Sequence, residues 1–373
     1  MKWSWKIAQV AGIAVRIHAT FWLIIIFVGA SHWMQGQGVA GTIEGVAFVL
    51  ALFVCVVLHE FGHALMARRF GIKTRDITLL PIGGVARLER MPDKPLQELW
   101  VALAGPAVNV VIAAVLFAWL VVAALLRPFS ELSVTGGPFL ERLMVVNIFL
   151  VLFNLLPAFP MDGGRVLRAL LAMRMRYVRA TQIAATIGQG LALVFGLAGL
   201  FGAPMLLFIA LFVWIGAGQE ASMTQMRSAI DGIPTRRAMI TDFQTLTPQE
   251  PLSRAVELIL RGSQQDFPVV DGERVVGVLT RAVLLPALAK SDQTTPVAEI
   301  MERTFQMAEA DEMLEAAFQR LQQCKCRTMP VTEDGRLVGL LTQENLGEFM
   351  LIRTALDEHR AATGETIAPP PYV

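Results

Sequence analysis

Apolar positions fill the first 225 residues in long runs and afterwards thin into short alternating or helix-period groups. Crossing a hydrocarbon core of about 30 Å takes roughly 20 mostly apolar residues in a helix, because each backbone group must be satisfied within the segment. Runs of that kind fall at about Ala19–Met34, Val46–Ala67, Leu99–Leu126, Leu140–Ala158, Ile183–Leu200 and Pro204–Ala217. The pattern therefore predicts a polytopic α-helical membrane protein of about six transmembrane helices. The last two runs are short and separated only by Phe201, Gly202 and Ala203, which leaves a broken hairpin as the alternative. Beyond position 225 the period changes. Pro251–Arg261 and Asp311–Gln323 read as amphipathic helices, each followed by strand, Asp-Gly turn and strand.

Composition agrees with the two-part pattern. The chain is 54% hydrophobic and 17% charged, against about 25% charged in an ordinary globular domain. Mean hydropathy is +0.54. Three cysteines in 373 residues exclude a disulfide framework, and Cys324 and Cys326 read as incidental neighbours in a reducing compartment. A net charge of +1 gives no reason to expect nucleic acid as partner. That near-neutrality conceals opposite halves: residues 1–225 hold 17 basic and 10 acidic side chains, residues 226–373 hold 15 and 21.

Loops rich in Lys and Arg stay cytoplasmic. Lys2, Lys6 and Arg16 precede the first run, seven basic residues from Arg68 to Lys94 separate the second from the third, and five from Arg165 to Arg179 separate the fourth from the fifth. The expectation is a multi-pass protein of the cell (inner) membrane with both termini cytoplasmic. Reading the first run as a signal peptide is weaker, since it lacks a small-x-small cleavage site.

His59, Glu60 and His63 fall near the end of the second run, where ionisable groups are costly and by default functional. Four residues on a helix return to nearly the same direction, so both imidazoles share one face a turn apart. That is the geometry for two nitrogen ligands on one zinc ion, with Glu60 placed to take a proton from water at the metal. The competing reading is a chance HExxH whose histidines are merely hydrogen-bonded, but desolvation in a membrane makes it expensive. A catalytic zinc usually has three protein ligands. The candidate third is Asp162, in the stretch Asn154 to Arg165, where Pro157 and Pro160 oppose a regular helix and Gly163 and Gly164 permit close approach. The alternative for Asp162 is an N-cap on a helix Arg165–Met173.

His59-Glu60-Phe61-Gly62-His63, then Ala104-Gly105-Pro106-Ala107-Val108-Asn109, then Asn154-Leu155-Leu156-Pro157 through Pro160-Met161-Asp162-Gly163-Gly164, together resemble the site-2 protease family of intramembrane zinc metalloproteases over roughly residues 1–220. The resemblance implies zinc on His59, His63 and Asp162, Glu60 as general base, and Asn109 and Asn154 near the site. Either amide can be read as an oxyanion donor or as structural, Asn109 by satisfying carbonyls freed at Pro106. A helical substrate must unwind to be cut. Thr78 to Leu88 reads as strand, Gly turn, strand, a hairpin that offers an edge for strand addition or simply packs over the site.

FPVVDGERVVGVLTRAVLL from Phe267 and MPVTEDGRLVGLLTQENL from Met329 are two copies of one pattern, about 62 positions apart. Met239-Ile240-Thr241 and Ile300-Met301 also correspond. The arrangement resembles a tandem CBS-domain pair, a soluble α/β unit, for which the family implies adenosine-nucleotide sensing. The family's ribose-binding Asp would fall three residues after Thr280 and Thr342, where this chain has Val283 and Asn345. A structural or dimerising pair is therefore as good a reading, and Thr342 and Asn345 are the remaining nucleotide candidates.

The expected organisation is a transmembrane zinc metalloprotease domain at 1–222, a linker at 223–236, a CBS pair at 237–352 (about 237–290 and 297–352) and a tail at 353–373, disordered at its end. The expected function is intramembrane metalloendopeptidase acting on transmembrane or membrane-proximal segments of protein substrates, in contact with lipid, with one Zn2+ and possible homodimerisation through the CBS pair. The rival is a CBS-regulated metal or ion transporter, since intramembrane His and Asp also mark ion paths. Glu60 weighs against it, because such a path needs no base at that offset.

Overall fold

The computed structural model describes residues 3–81, 83–89, 92, 94–128, 133, 136–290, 292–324 and 326–363, the side chains of 354 and 357–363 excepted. The chain divides into two compact units, Met1–Thr224 and Gln225–Val373.

The first unit opens with a sheet that the apolar-run pattern did not anticipate. Strands β1 (Ser4–Val10) and β2 (Ile13–His18) form an antiparallel hairpin. Both turn residues, Ala11 and Gly12, have positive φ, as the twist of a two-residue hairpin requires. Helices α1 (Phe21–Met34) and α2 (Gly38–Arg69) then cross over to β3 (Thr74–Leu80), which pairs parallel with β2. Strand β4 (Gly83–Leu88) closes the sheet antiparallel to β3, giving the order β1-β2-β3-β4. The expected hairpin is thus the outer half of a four-stranded sheet. Alternation sorts its faces: Ile13, Val15, Ile77 and Ala86 pack on Val57, Phe61 and Ala64 of α2. Arg16, Asp76 and Arg87 occupy the other face, where Arg87 pairs with Asp76 and Arg16 lies 3.5 Å from it.

The remaining helices of this unit are α3 (Pro95–Val122), α4 (Phe139–Asn154), α5 (Asp162–Ala172), α6 (Tyr177–Leu200) and α7 (Met205–Ile230). Each of the six apolar runs contains a helix. Among the described residues, α2, α3, α6 and α7 are long and apolar enough to cross a membrane. Helices α1 and α4, with 14 and 16 residues, fall short of that length, so these four helices do not by themselves account for the expected count of about six. The last pair reverses the expectation of short or broken segments. With 24 and 26 residues, α6 and α7 extend their apolar runs through polar turns such as Tyr177–Gln182 and Gln219–Gln225, which hydropathy alone excludes.

The second unit realises the repeat. Its first half holds α8 (Leu252–Arg261), β5 (Phe267–Asp271), β6 (Arg274–Leu279) and α9 (Arg281–Leu288). Its second holds β7 (Ala308–Glu309), α10 (Leu314–Cys324), β8 (Thr328–Glu333), β9 (Arg336–Thr342) and α11 (Gln343–Thr363). One core contains Leu252, Ala255, Phe267, Val269, Leu279 and Leu284, the other Leu314, Ala317, Met329, Val331, Leu341 and Leu346. These are equivalent positions at the repeat spacing. The leading segments are exchanged: Ile240, before the first copy, bridges to Leu340 in the second, and Glu302, before the second copy, bridges to Val278 in the first. Cys324 and Cys326, expected to be incidental, are joined as a disulfide. Helix α7 occupies positions 223–230 of the expected linker, and α11 continues through Thr363 into the expected tail; residues 364–373 lie outside the described residues.

Candidate metal centre

His59 and His63 project from one face of α2 with ring centroids 4.7 Å apart and planes at 78°. Asp162 reaches the same point from α5. Helix α4 stops at Asn154, and the Pro157 to Pro160 stretch turns the chain before Asp162 opens the next helix. Because α5 begins at Asp162, with Met161 in the cap position, the carboxylate is free of the capping role considered from sequence. The Nε2 atoms of the two histidines lie 3.0 Å apart, and Asp162 Oδ2 lies 3.1 Å from each. All three residues are buried, at 5–7% exposure.

Helix α3 fixes the imidazoles from behind. His63 Nδ1 donates to the Val101 carbonyl at 2.7 Å. His59 Nδ1 meets Asn109 Oδ1 at 2.5 Å. The orientation of Asn109 follows from a chain of amides. The Leu143 carbonyl can only accept, so it takes Asn147 Nδ2 at 2.8 Å. Asn147 Oδ1 then faces Asn109 Nδ2 at 2.8 Å, which leaves Asn109 Oδ1 for His59. His59 therefore carries its proton on Nδ1 and presents an Nε2 lone pair, as His63 does.

With both rings neutral, three acceptors thus converge within about one hydrogen-bond length, with no donor among them. Two neutral imidazoles and a carboxylate in that arrangement are the donor set of a zinc ion, and hydrogen bonds to the outer ring nitrogens are what such ligands need. His59, His63 and Asp162 form a potential metal site. Space for it is kept by Gly105 of α3. A Cβ there would lie 2.6 Å from His59 Nε2 and closer still to His63.

Glu60 is half-buried beside the centre. Its Oε2 accepts the Ala86 N–H of β4 at 3.0 Å. Gly84, two residues earlier on that edge strand, admits the Glu60 side chain, since a Cβ at Gly84 would fall 2.8 Å from Glu60 Cγ. The glycine turn of the hairpin thereby brings the sheet edge to the carboxylate.

The two asparagines part company. Asn109 is in the centre, as an orienter of His59. Asn154, at the end of α4, returns its Nδ2 to the Leu150 carbonyl at 2.9 Å. Asn147 went unnoticed in the sequence, although a polar side chain inside an apolar helix was a usable signal. Arg168 was read from sequence only as one of the basic loop residues between the fourth and fifth runs, but it lies on α5. It is 1% exposed and paired with Glu98 and Glu220. In the second unit, Thr342 Oγ1 accepts the Asn345 N–H, and Asn345 Nδ2 donates to the Ala238 carbonyl at 2.6 Å. Both nucleotide candidates thus have partners within the fold.

Taken together, apolar membrane-length helices, a buried two-His, one-Asp cluster with an adjacent Glu, and an α/β repeat define a membrane-embedded metalloprotein with an appended α/β repeat module. The chain belongs to peptidase family M50, whose model matches residues 47–134 and 131–195, and the CBS domain model matches 235–290 and 297–351. It is 32% identical over 359 residues to "Zinc metalloprotease MJ0392" of Methanocaldococcus jannaschii, covering 96% of this chain and 99% of the relative. It is 30% identical to "Stage IV sporulation protein FB" of Bacillus subtilis over 158 residues, 42% of this chain and 51% of that protein. A solved structure named "Site-2 Protease from Methanocaldococcus jannaschii" matches with 38% identity and a TM-score of 0.44, covering 59% of this chain and 95% of that one.

Proposed function

We propose that this peptidase is an intramembrane zinc metalloendopeptidase in which His59, His63 and Asp162 hold the metal and Glu60 is the general base. The observation that carries the reading is the convergence of the three acceptor atoms at 3.0–3.1 Å, one residue along α2 from a carboxylate. Bound zinc supplies Lewis acidity toward a peptide carbonyl and toward water. The chain supplies the rest. Val101 and Asn109 hold the imidazoles as neutral ligands, and Gly105 keeps the centre open. Glu60, with Oε2 engaged by Ala86, has Oε1 to accept the water proton and return it to the leaving amine.

The substrate is a transmembrane or membrane-proximal segment of another protein, unwound and added as a strand beside β4. Support comes from β4 being the sheet edge whose backbone reaches Glu60. A photocrosslinker at Val85, which is exposed, is expected to capture a trapped substrate; capture only from α1 would refute the edge. The metalloprotease domain corresponds to 1–222 and the CBS pair to 237–352, with both termini cytoplasmic on the strength of the basic loops. Reporter fusions at both ends test that orientation. The internal partners of Thr342 and Asn345 favour a structural or dimerising CBS pair, for which calorimetry of the full chain with AMP and ATP should give no heat.

Glu60→Gln keeps the side chain's size and removes the base. Turnover is expected to fall by at least the 10²–10⁴-fold typical of general-base loss, with one zinc retained per chain. Full activity in that variant would overturn the assignment.

A further inference from the structure

Arg168 takes no part in the chemistry above, yet it is among the most completely buried large side chains of the molecule. Its guanidinium donates from Nε to Glu98 Oε1 at 2.8 Å and from Nη1 to Glu220 Oε1 at 2.5 Å, with Nη2 also 2.5 Å from the Glu98 carboxylate. Phe159 and Tyr177 stack on it, each ring centroid 5.0 Å away. A buried guanidinium is expensive unless paired, and removing one partner costs more than the pair contributes; here Nη2 lies beside the Glu98 carboxylate as an ion pair without a hydrogen bond of its own. Such a cluster holds its elements in one arrangement.

The elements it holds are the ones that carry Asp162. Arg168 sits on α5 less than two turns past Asp162, and Phe159 belongs to the turn that leads into it. Glu98 belongs to the face of α3 that serves the histidines. Positions 98, 102, 105 and 109 recur at helical spacing, so Glu98, Gly105 and Asn109 lie along one stripe, with the Val101 carbonyl at its margin. Asn109 orients His59, Val101 orients His63, and Gly105 leaves the space between them. Glu98 is the member of the stripe whose side chain bonds to Arg168 of α5.

We infer that Arg168, anchored by Glu98, is the positioning residue for Asp162, so that one face of α3 sets all three ligands of the centre. This rests on the reading that His59, His63 and Asp162 hold zinc. Glu220 on α7 is the second, more exposed anchor.

The test uses the full-length protein in detergent micelles, comparing Arg168→Lys with Glu98→Met/Arg168→Met. The double variant removes both buried charges and replaces them with apolar volume, leaving only the more exposed Glu220 without its Arg168 partner, and is expected to keep the fold where the lysine variant fails to fold. Zinc affinity is read by chelator competition, and the ligand field by the visible spectrum after cobalt substitution. With folding verified by size exclusion and circular dichroism, zinc affinity is expected to drop 10–100-fold. The cobalt bands should change shape and kcat should fall more than KM rises. A folded variant with wild-type zinc affinity and an unaltered cobalt spectrum would overturn the inference, whatever its activity. His59→Ala separates this failure from that of the underlying reading. If it leaves metal content unchanged, the zinc assignment itself is wrong; if it abolishes binding while both Arg168 variants bind normally, only the positioning role is lost.

Discussion

The proton arrangement at the centre is set by a carbonyl two residues removed from it. Leu143 orients Asn147, Asn147 orients Asn109, and Asn109 fixes the tautomer of His59. Asn147→Leu keeps the branched shape, with somewhat larger volume, but frees Asn109 to rotate and offer its NH2 to His59, which then loses its Nε2 lone pair in that rotamer. Zinc affinity is expected to fall 10–100-fold, the usual effect of losing such a hydrogen-bond partner, with a loss of about 1–3 kcal/mol in stability because the buried Asn109 amide is left one partner short. Unchanged affinity by chelator competition would show that Asn109 needs no such support. At this scale the cluster of His59, His63 and Asp162 was readable in advance as a potential metal site, because two His four apart with an intervening Glu, and an Asp among Pro and Gly, suggest that chemistry by spacing. Asn147 was visible only as a polar residue in an apolar run, and Arg168 only as one more basic residue, since the role of a single amide or guanidinium depends on partners 38 to 70 positions away.

Helices were legible in proportion to how apolar they are. The run pattern located α1 to α4, α6 and α7, but it cut α6 and α7 short where their turns become polar. It passed over β1 and β2 altogether. Their residues alternate, yet Lys6 and Arg16 were absorbed as the basic flank of a span, and parallel pairing of β2 with β3 joins segments some 60 residues apart. The sheet carries a titratable clasp on its polar face. Burial pushes the Asp76 carboxyl up, but the hydrogen bonds and charge of Arg87, with the charge of Arg16, outweigh it and hold the group below the usual carboxylate range. A carboxylate with a depressed folded pKa adds stability that is fully present above its unfolded value, about 3.9, and is lost as pH falls through the folded one. Asp76→Asn is therefore expected to raise amide exchange across β3 and β4 relative to wild type by a constant factor from neutral pH down to about pH 4. The difference should close below that. Closure already between pH 7 and 5 would mean that another group controls the sheet.

On the scale of the whole chain, the division at Thr224 separates more than charge. Each unit has cores of its own, and all three residues of the proposed metal site belong to the first. The seven tryptophans, from Trp3 to Trp214, also fall within it. Intrinsic tryptophan fluorescence thus follows the membrane unit alone, whereas far-ultraviolet circular dichroism follows both. A ligand that binds only the folded state raises stability by RT ln(1 + [L]/Kd), about 4 kcal/mol at a thousandfold excess over Kd. For a unit of 150–250 residues each kcal/mol moves the midpoint by about 2–4 °C. Stripping zinc with a chelator should therefore lower the fluorescence midpoint by roughly 8–16 °C at that saturation. A second transition, visible by circular dichroism and silent in fluorescence, should stay where it was. If both transitions moved together, the two units would unfold as one cooperative body; if neither moved, His59, His63 and Asp162 would not be holding a metal that the folded chain depends on.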